Sequence, residues 1–369
     1  MSLLLSAGVS AHLTAEFLRR FFQVSDVAYA LADVAVIAMA FLAIRIGGLR
    51  FNHHVLLFFS LFVFWGMLSH IPNNNSLLLV FVGLRPLAIA VSLYILAENA
   101  FRYDPEAAEQ IKKTLAVWMM IIVSVAIYQI YAGNAAPINQ IPDVERGGRG
   151  DPYGGLDWLF RPTSIFMHTG RFGQYIFFLC LVFVVPLLVF RRLPWQSFAL
   201  GVVAVVGLFA SGQRSAFVLL MLIALAVLIQ QARVGRLLRL IAIMLAVAVL
   251  TVAATPDILA AIQERMIGAF WLIGDRISEQ GSRWGVALDR FLFSGEGFGF
   301  FSFGADIFGG AIYYQYMGQF GGGNENSWMS ILGEAGMFGL VSYALAILSI
   351  IYISQKRRSR DKNPARQVW

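Results

Sequence analysis

Long apolar runs, separated by short charged or glycine-containing turns, constrain this chain more than any other feature. We place nine of them, at 25–47, 53–70, 76–98, 114–132, 172–190, 196–211, 213–230, 236–254 and 328–353. Runs of this length cross, or nearly cross, the hydrocarbon core of a bilayer as helices. Backbone polar groups find no partners in lipid, so each run is predicted to be helical. The sequence therefore predicts an all-α, polytopic bundle of transmembrane helices.

Composition excludes the soluble classes. Of 369 residues, 59% are hydrophobic and only 13% are charged, too few to cover the surface of a soluble domain. The formal charge of +7 is attributed to cytoplasmic loops, so no nucleic-acid partner is expected. The single cysteine, Cys180, is predicted to be a buried thiol, and the five histidines show no metal-ligand spacing, so neither a metal nor a cofactor is predicted.

Residues 2–22 leave two alternatives open. They are apolar on one side and carry His12, Glu16, Arg19 and Arg20 elsewhere, which fits an interfacial helix or a tenth span. No cleavable signal is predicted, because this stretch lacks a basic leader. The total is therefore about 9–11 spans in a single integral membrane domain, 1–369.

Basic residues fix the predicted orientation. Arg45, Arg102, Arg191 and Arg233 mark one set of loops, which the positive-inside rule places in the cytoplasm together with the basic tail at 355–369. The opposite, extracytoplasmic side then holds two long segments, 133–171 and 255–327, which we expect to contain short helices. Function usually lies in such long segments.

Arg85 lies inside a predicted span. An arginine there costs a few kcal/mol, so it usually faces a polar cavity and has a function. We interpret it as a substrate-binding residue, and Pro86 predicts a kink beside it. The alternative is an ion pair with Glu98 or Asp33 on another helix.

A tight outer turn, SGQRSAF, contains Arg214. Gly212 allows the reversal, and Ser215 is a candidate cap for the following helix. A planar guanidinium suits phosphate oxygens, so Arg214 is a catalytic candidate. The alternative is an arginine that extends to the lipid headgroups.

The stretch RPTSIFMHTGRFGQY places Arg161 and Arg171 just before a span on the same face. The two side chains could converge on one anion across a folded loop, or the loop could simply be solvated. His168 between them is more readily a hydrogen-bonded loop residue than a base.

Residues 282–304 are predicted to form a short amphipathic helix and a glycine-rich turn. Arg283 and Arg290 are two turns apart and share a face, which makes both substrate-binding candidates. The alternative for Arg290 is an ion pair with Asp289 or Glu296. Upstream, the spacing at 255–280 also predicts an amphipathic helix.

The aromatic residues of this stretch, Trp284 and Phe291, are expected to contact the membrane.

The stretch GGGNENSW places Glu325 at the outer end of the last span. A carboxylate there fits a helix N-terminus, with Asn324 or Ser327 as the cap, or a general base that accepts a proton from a hydroxyl. Asn326 is interpreted as a substrate-binding neighbour. Glu334, inside the span, is either functional or paired with a basic side chain.

Four motifs carry a resemblance to the O-antigen ligase and polysaccharide polymerase superfamily. They are SGQRSAF, RWGVALDRFLFSGEGFGFF, NENSWMSILGEAGMFGL and the upstream RPTSIFMHTGRFGQY. Each is degenerate, but their order and topology resemble the family jointly. The chain departs from it in having SGEGFG without the usual proline, HTGRF in place of His-Pro-Asn, and Glu325-Asn326 where ligases typically have His-Asn. The glutamate is more familiar in polymerases.

The resemblance implies a GT-C-like membrane glycosyltransferase in the bacterial inner membrane with its site facing the periplasm. Its expected substrate is an undecaprenyl-diphosphate-linked oligosaccharide, and its acceptor a growing glycan. Arg214, Arg161, Arg171 and Arg85 would then bind the diphosphate without a metal, and Glu325 would activate the acceptor hydroxyl. A chain-length regulator or other export proteins remain open as partners, besides the lipid bilayer.

Three functions follow from these expectations. The first is a polysaccharide polymerase. The second is an O-antigen ligase with lipid A–core as acceptor. The third, from a different class, is a lipid-linked sugar transporter, which intramembrane charge also fits. No paired half-sequence is visible, and the polar groups lie mostly on one face, so the sequence favours the first.

Overall fold

A computed structural model gives the fold of the chain. It describes residues 1–22, 27–48, 53–71, 77–133, 136–139, 152–153, 156–160, 162–166, 169–189, 194–231, 273–299 and 327–360.

Helices account for nearly all of these residues. They are α1 (Ser2–Phe22), α2 (Val27–Gly47), α3 (His53–His70), α4 (Leu77–Tyr103), α5 (Ala107–Ala132), α6 (Thr169–Phe183), α7 (Val185–Val189), α8 (Trp195–Ser211), α9 (Arg214–Gln231), α10 (Ile273–Phe291) and α11 (Ser327–Arg360). Eight of the nine predicted runs are helical, and the ninth, 236–254, lies outside the described residues.

Within the described part of the chain, six helices are long and apolar enough to cross a membrane. They lie in α2, α3, α4, α5, the α6–α7 stretch and α11, while α8 is a shorter apolar helix. The protein is therefore an all-α, multi-pass membrane helix bundle, as the sequence predicts.

A small antiparallel hairpin interrupts the helical pattern inside the 133–171 segment. Its strands are β1 (Pro152–Tyr153) and β2 (Leu156–Phe160). The sequence predicted short helices in the long segments. A short 3-10 turn, Pro137–Asn139, is also present there.

The chain groups into two compact units. Unit 1 is Met1–Met39 with Ala100–Leu272, and unit 2 is Ala40–Asn99 with Ile273–Trp369. The expected single membrane domain stays a prediction.

The core of unit 1 lies between α5, α6 and α8. Met119, Phe172 and Ile176 are fully buried there. Cys180 is buried too, as predicted, and its thiol donates to the Ala204 carbonyl at 3.3 Å. Gly207 gives α8 close contact with this core, because a Cβ there would lie 2.7 Å from a Val123 methyl.

Helix α1 lies alongside α5 in the same direction. Ser2, at its start, bonds Gln110 at 2.6 Å. Near its middle, the Trp118 indole donates to Ser10 Oγ at 3.1 Å. At its end, Arg20 donates to a carbonyl just beyond α5.

Contact with α5 does not decide between the two alternatives for residues 2–22. Helix α1 is not among the six described helices that are long and apolar enough to cross a membrane. The interfacial helix and the tenth span therefore both stay predictions.

In unit 2, α3 packs antiparallel to α11 through aromatic rings. Trp65 stacks on Phe338 with centroids 4.9 Å apart, and Phe62 contacts Tyr343 at 5.2 Å. Helix α11 is broken at Gly336, whose φ of 68° and ψ of −176° are not helical. The break frees backbone groups inside an apolar helix, and these need other partners.

The glycine-rich loop 292–299 supplies those partners. Glu296 N donates to Gly333 O at 2.7 Å, and Gly297 N donates to Glu334 O at 2.9 Å. Across the break, the N–H of Met337 donates to Leu292 O at 3.3 Å. The loop therefore replaces helical hydrogen bonds that α11 lacks around Gly336.

Side-chain acceptors and close backbone contacts fix the same loop. Gly295 N donates to Ser69 Oγ at 3.1 Å, and Gly299 N donates to the Glu334 carboxylate at 3.2 Å. A Cβ at Gly295 would collide with the backbone of Glu334. Glu334 thus binds a backbone N–H in the described structure.

The aromatic residues of α10 correct one expectation. Phe291 is 2% exposed and packs with Leu79 and Leu332, and Trp284 packs against the same cluster. We expected both to contact the membrane; Phe291 is buried instead, whereas the expectation for the partly buried Trp284 stays a prediction. Lipid and protein core are equally apolar, so the sequence pattern does not distinguish a ring in one from a ring in the other.

Candidate functional site

The end of unit 1 where α5 finishes and α6 begins, called here the α5–α6 end, holds a fixed loop segment. Residues 162–166 are all buried. Ser164 N donates to Gln129 Oε1 at 2.7 Å, and Ser164 Oγ donates to Ile122 O at 2.6 Å. Both Gln129 and Ser164 are fully buried, so these bonds anchor the RPTSIF motif on α5.

Arg171 lies in the first turn of α6, and its partner is a buried acid on α1. Arg171 Nη1 is 3.1 Å from Glu16 Oε1. The Glu16 side chain is 4% exposed, whereas that of Arg171 is 46% exposed. The pair therefore holds a guanidinium on a buried carboxylate while much of it remains accessible.

One turn further along α1, Arg20 ties the helix to the loop after α5. Arg20 is 4% exposed, and its Nη2 donates to Ile138 O at 2.8 Å. Asn139 donates to the carbonyls of Gln129 and Gly133, at 2.7 and 2.6 Å. Glu16 and Arg20 are four residues apart, so they share a face of α1. The α5–α6 end thus has one buried guanidinium, one exposed guanidinium and one buried carboxylate.

The SGQRSAF turn packs against this end. Gly212 adopts the left-handed conformation, with φ 62°, as the predicted reversal requires. Its neighbour Gln213 lies against Gly173, leaving no space for a side chain there. The turn is therefore in contact with α6 two residues from Arg171.

The predicted cap of α9 is wrong. The helix begins at Arg214, so Ser215 lies within it. Instead, Gln213 N donates to Ser211 Oγ at 3.3 Å, and Gln213 O accepts from Phe217 N at 3.3 Å. The preceding serine therefore shapes the turn.

Several buried polar atoms at this end have no hydrogen-bond partner among the described residues. They are Glu16 Oε2, Thr163 Oγ1, Tyr175 Oη and Gln213 Oε1. Tyr175 follows Arg171 by one helical turn. Buried polar groups are normally paired, so such a group of acceptors and hydroxyls suits a hydrated or polar ligand. Arg171, whose side chain is 46% exposed, is an accessible charged group at this end and can bind an anion.

Three predicted substrate-binding arginines belong to unit 2. Arg85 is exposed on α4, which continues as one helix through Pro86. Glu98 lies on the same helix, thirteen positions on and so about 20 Å away along the axis. That distance rules out Glu98 as an ion-pair partner on another helix.

Arg283 and Arg290 both lie on α10, where Arg283 is half-buried and Arg290 is exposed. Arg290 Nε is 3.9 Å from Glu296 Oε1 and its guanidinium lies over the Phe291 ring. The ion-pair alternative for Arg290 is therefore present in the structure. Burial raises the pKa of the Glu296 carboxyl, and Arg290 opposes that shift.

Three residues of the predicted site, Arg161, Glu325 and Asn326, lie outside the described residues, and so does His168. For Arg214, the structure gives the backbone position at the start of α9. Their assigned roles stay predictions.

Sequence reasoning missed Glu16 and Gln213 as site residues. A signal for Glu16 existed: a carboxylate four residues before an arginine in an otherwise apolar helix is costly in lipid and usually has a partner. For Gln213 the signal was the small, polar turn itself.

His70, also missed, is the last residue of α3 in unit 2. It is 6% exposed, and neither ring nitrogen has a hydrogen-bond partner within the described ranges. A Cβ on Gly297 would lie 2.9 Å from its Nδ1, so the loop 292–299 covers it closely.

In the part of the chain that the structure describes, no group of three or more His, Cys, Asp or Glu side chains is arranged to hold a metal ion.

The fold and the α5–α6 end define a multi-pass membrane protein with a polar, arginine-bearing site at one end of unit 1. Comparison with protein-family models, with curated proteins and with solved structures finds no match to this chain.

Proposed function

We propose that the protein is a membrane polysaccharide polymerase. It joins undecaprenyl-diphosphate-linked oligosaccharide repeat units at the outer face of the bacterial cytoplasmic membrane. The proposal combines the sequence resemblance with the chemistry available at the α5–α6 end of unit 1.

One observation carries it: the contact between two arginine-bearing motifs that are distant in sequence. The SGQRSAF turn lies on Gly173 of the RFGQY stretch, beside Arg171 and next to the backbone of Arg214. A planar guanidinium group can bind two phosphate oxygens at once, and its positive charge is permanent. Two arginine positions at one helix-bundle end therefore support recognition of a diphosphate.

The location of these arginines fits a lipid-linked substrate. By the positive-inside rule, the α5–α6 end faces the extracytoplasmic side, where polymerisation would take place. Arg171 lies in the first turn of a candidate membrane span and keeps much of its side chain exposed. A diphosphate at the headgroup level could reach it while its polyprenyl chain remained in the bilayer.

The proposed reaction is a direct displacement. The hydroxyl oxygen of the acceptor sugar attacks the anomeric carbon of the donor, and the bond from that carbon to the diphosphate oxygen breaks. The electron pair leaves with the lipid diphosphate, whose charge the arginines stabilise. The hydroxyl proton passes to Glu325, and the anomeric centre is inverted.

Purified protein in lipid nanodiscs tests the proposal, with an undecaprenyl-diphosphate-linked repeat unit as the only saccharide. A ladder of longer glycans, formed without lipid A, is the expected result. Product only when lipid A–core is supplied would make the protein a ligase. Movement of the lipid-linked sugar across a liposome membrane, without a new glycosidic bond, would make it a transporter.

Two substitutions test the assigned chemistry. Glu325→Gln removes the proposed base and is expected to lower chain growth by about 10²- to 10⁴-fold. Arg214→Lys keeps the charge but loses the planar fork, and is also expected to fail. Exposed Arg45→Lys, at the end of α2, is the matched control. Normal ladders from either site variant would contradict its role.

A further inference from the structure

We propose that Glu16 is a positioning residue that orients Arg171 for a lipid-linked diphosphate. The inference rests on the proposed function, because it names the group that Arg171 binds. It starts from a feature that the sequence did not predict, a carboxylate buried in α1 and paired with α6.

The arrangement is asymmetric. Glu16 is buried and accepts a hydrogen bond from Arg171 Nη1 at 3.1 Å. The other N–H groups of Arg171 have no partner in the described part of the structure, and its side chain is 46% exposed. One part of the guanidinium fork is thus held by the protein, and the rest is free to meet a ligand.

Both neighbours of this pair are themselves fixed. Arg20, one turn along α1, holds the loop after α5, so α1 cannot move without disturbing that contact. Gly173 and Gln213 meet two residues beyond Arg171, so the start of α6 is packed as well. A rigid backbone on both sides makes Glu16 suited to set the direction of the guanidinium.

Two polar atoms without a hydrogen-bond partner within the described ranges, Tyr175 Oη and Gln213 Oε1, are buried on elements next to Arg171. Tyr175 is one turn along α6, and Gln213 lies against Gly173. Under the proposed function, the ligand class is a polyprenyl diphosphate carrying a saccharide.

A purely electrostatic role and a positioning role predict opposite signs. Glu16 is negative, so removing its charge makes the cluster with Arg20 and Arg171 more attractive to an anion. If charge alone governed binding, Glu16→Gln would bind diphosphate more tightly. If orientation of Arg171 governs binding, the same variant binds it more weakly.

The experiment measures binding of undecaprenyl diphosphate to the full chain in nanodiscs by native mass spectrometry. We expect Glu16→Gln to bind about tenfold more weakly, equivalent to about 1.4 kcal/mol. Glu109→Gln, an exposed acid at the start of α5, is the matched control and should bind like the wild type.

A double-mutant cycle shows whether Glu16 acts through Arg171. Arg171→Gln should weaken binding at least as much as Glu16→Gln. The double variant, Glu16→Gln with Arg171→Gln, should be within about twofold of Arg171→Gln alone. It also keeps a neutral hydrogen-bonding pair, which avoids leaving a buried charge without a partner.

Unfolding is followed separately through Cys180, the only cysteine and a buried one, using a thiol-reactive fluorophore. A lower melting temperature with unchanged binding would reduce the ion pair to a helix anchor and overturn the inference. Tighter or unchanged binding by Glu16→Gln, additive effects in the cycle, or no binding by the wild type would overturn it too. Normal diphosphate binding by a protein that makes no polymer would contradict the proposed function and leave this inference standing.

Discussion

Unit 1 and unit 2 both contain buried polar groups near helix ends, but they satisfy them in different ways. At the α5–α6 end of unit 1, side chains bond each other and nearby backbone groups, and Glu16 Oε2 and Tyr175 Oη have no partner among the described residues. In unit 2, the freed backbone of α11 is satisfied by the backbone of the loop 292–299. The first arrangement leaves capacity for a ligand, and the second largely uses its capacity internally.

A polar motif in a membrane protein can therefore serve either ligand binding or contact with the protein's own backbone. The glycines of SGEGFG allow close backbone contact, which in unit 2 is contact with the protein's own helices. In unit 1, Arg171 keeps an exposed guanidinium beside the buried Glu16 carboxylate. Substitutions should therefore affect mainly stability in the glycine loop and mainly binding at the α5–α6 end.

The largest expected effect is that of Gly299→Ala in unit 2. Gly299 has φ 82°, and a Cβ there would collide with the Leu79 carbonyl oxygen and lie 3.1 Å from Gly83 N. We expect Gly299→Ala to lower the free energy of unfolding by about 3 kcal/mol or more, because backbone strain and a backbone clash act together. Hydrogen exchange of peptides from 327–345 should increase sharply.

Two glycines in the same unit serve as controls. Gly48 has φ 78° but open space around it, so Gly48→Ala measures strain alone, about 1–2 kcal/mol. Gly285→Ala, in open space on α10, should stabilise that helix by up to about 1 kcal/mol. If Gly299→Ala behaved like Gly285→Ala, the loop would not be packed as described.

An intermediate effect is expected for Arg171→Lys in unit 1. Lysine preserves the charge opposite Glu16 but cannot hold the carboxylate and a phosphate with one planar group. The KM for the lipid-linked repeat unit should rise about tenfold, while the melting temperature of the protein, followed by labelling of Cys180, changes little. A large fall in that melting temperature with an unchanged KM would show that Arg171 serves stability and not binding, contrary to the contrast between the units.

The smallest expected effect concerns Glu296 in unit 2 and depends on pH. Burial raises the pKa of this carboxyl above its unfolded value, so the folded state favours the protonated form. The resulting destabilisation is absent below the unfolded pKa, about 4.3, and complete above the folded pKa.

Glu296→Gln should therefore raise the melting temperature at pH 7.5 and have less effect near pH 4. Thermal unfolding at the two pH values, measured by intrinsic fluorescence, checks the sign. A stabilisation that grew as the pH fell would show that Arg290, whose Nε is 3.9 Å from the Glu296 carboxylate, affects the Glu296 pKa more than burial does.

The helices could be predicted because each apolar run must satisfy its own backbone in lipid. The break in α11 could not be located, since GEAGMFG contains three glycines and the non-helical conformation falls on Gly336. Phe291 was assigned to the membrane because a ring in lipid and a ring in a membrane-protein core give the same pattern.

The candidate site was predictable in part for a related reason. The SGQRSAF turn and the RPTSIFMHTGRFGQY stretch attract notice because charge beside spans is unusual. The partner of Arg171 could not be found from spacing, because Glu16 is 155 residues away and reaches it only through packing of α1 in unit 1. The roles of Glu325 and Arg161 stay predictions.

Photo-crosslinking with a diazirine-bearing polyprenyl diphosphate tests the central claim most directly, that the arginine-bearing end of unit 1 binds a lipid-linked diphosphate. Labelled peptides should come from the starts of α6 and α9, labelling should fall when unlabelled diphosphate is added, and Arg171→Lys should reduce it. Absence of label from both peptides, or labelling that neither competitor nor Arg171→Lys changes, would contradict the account.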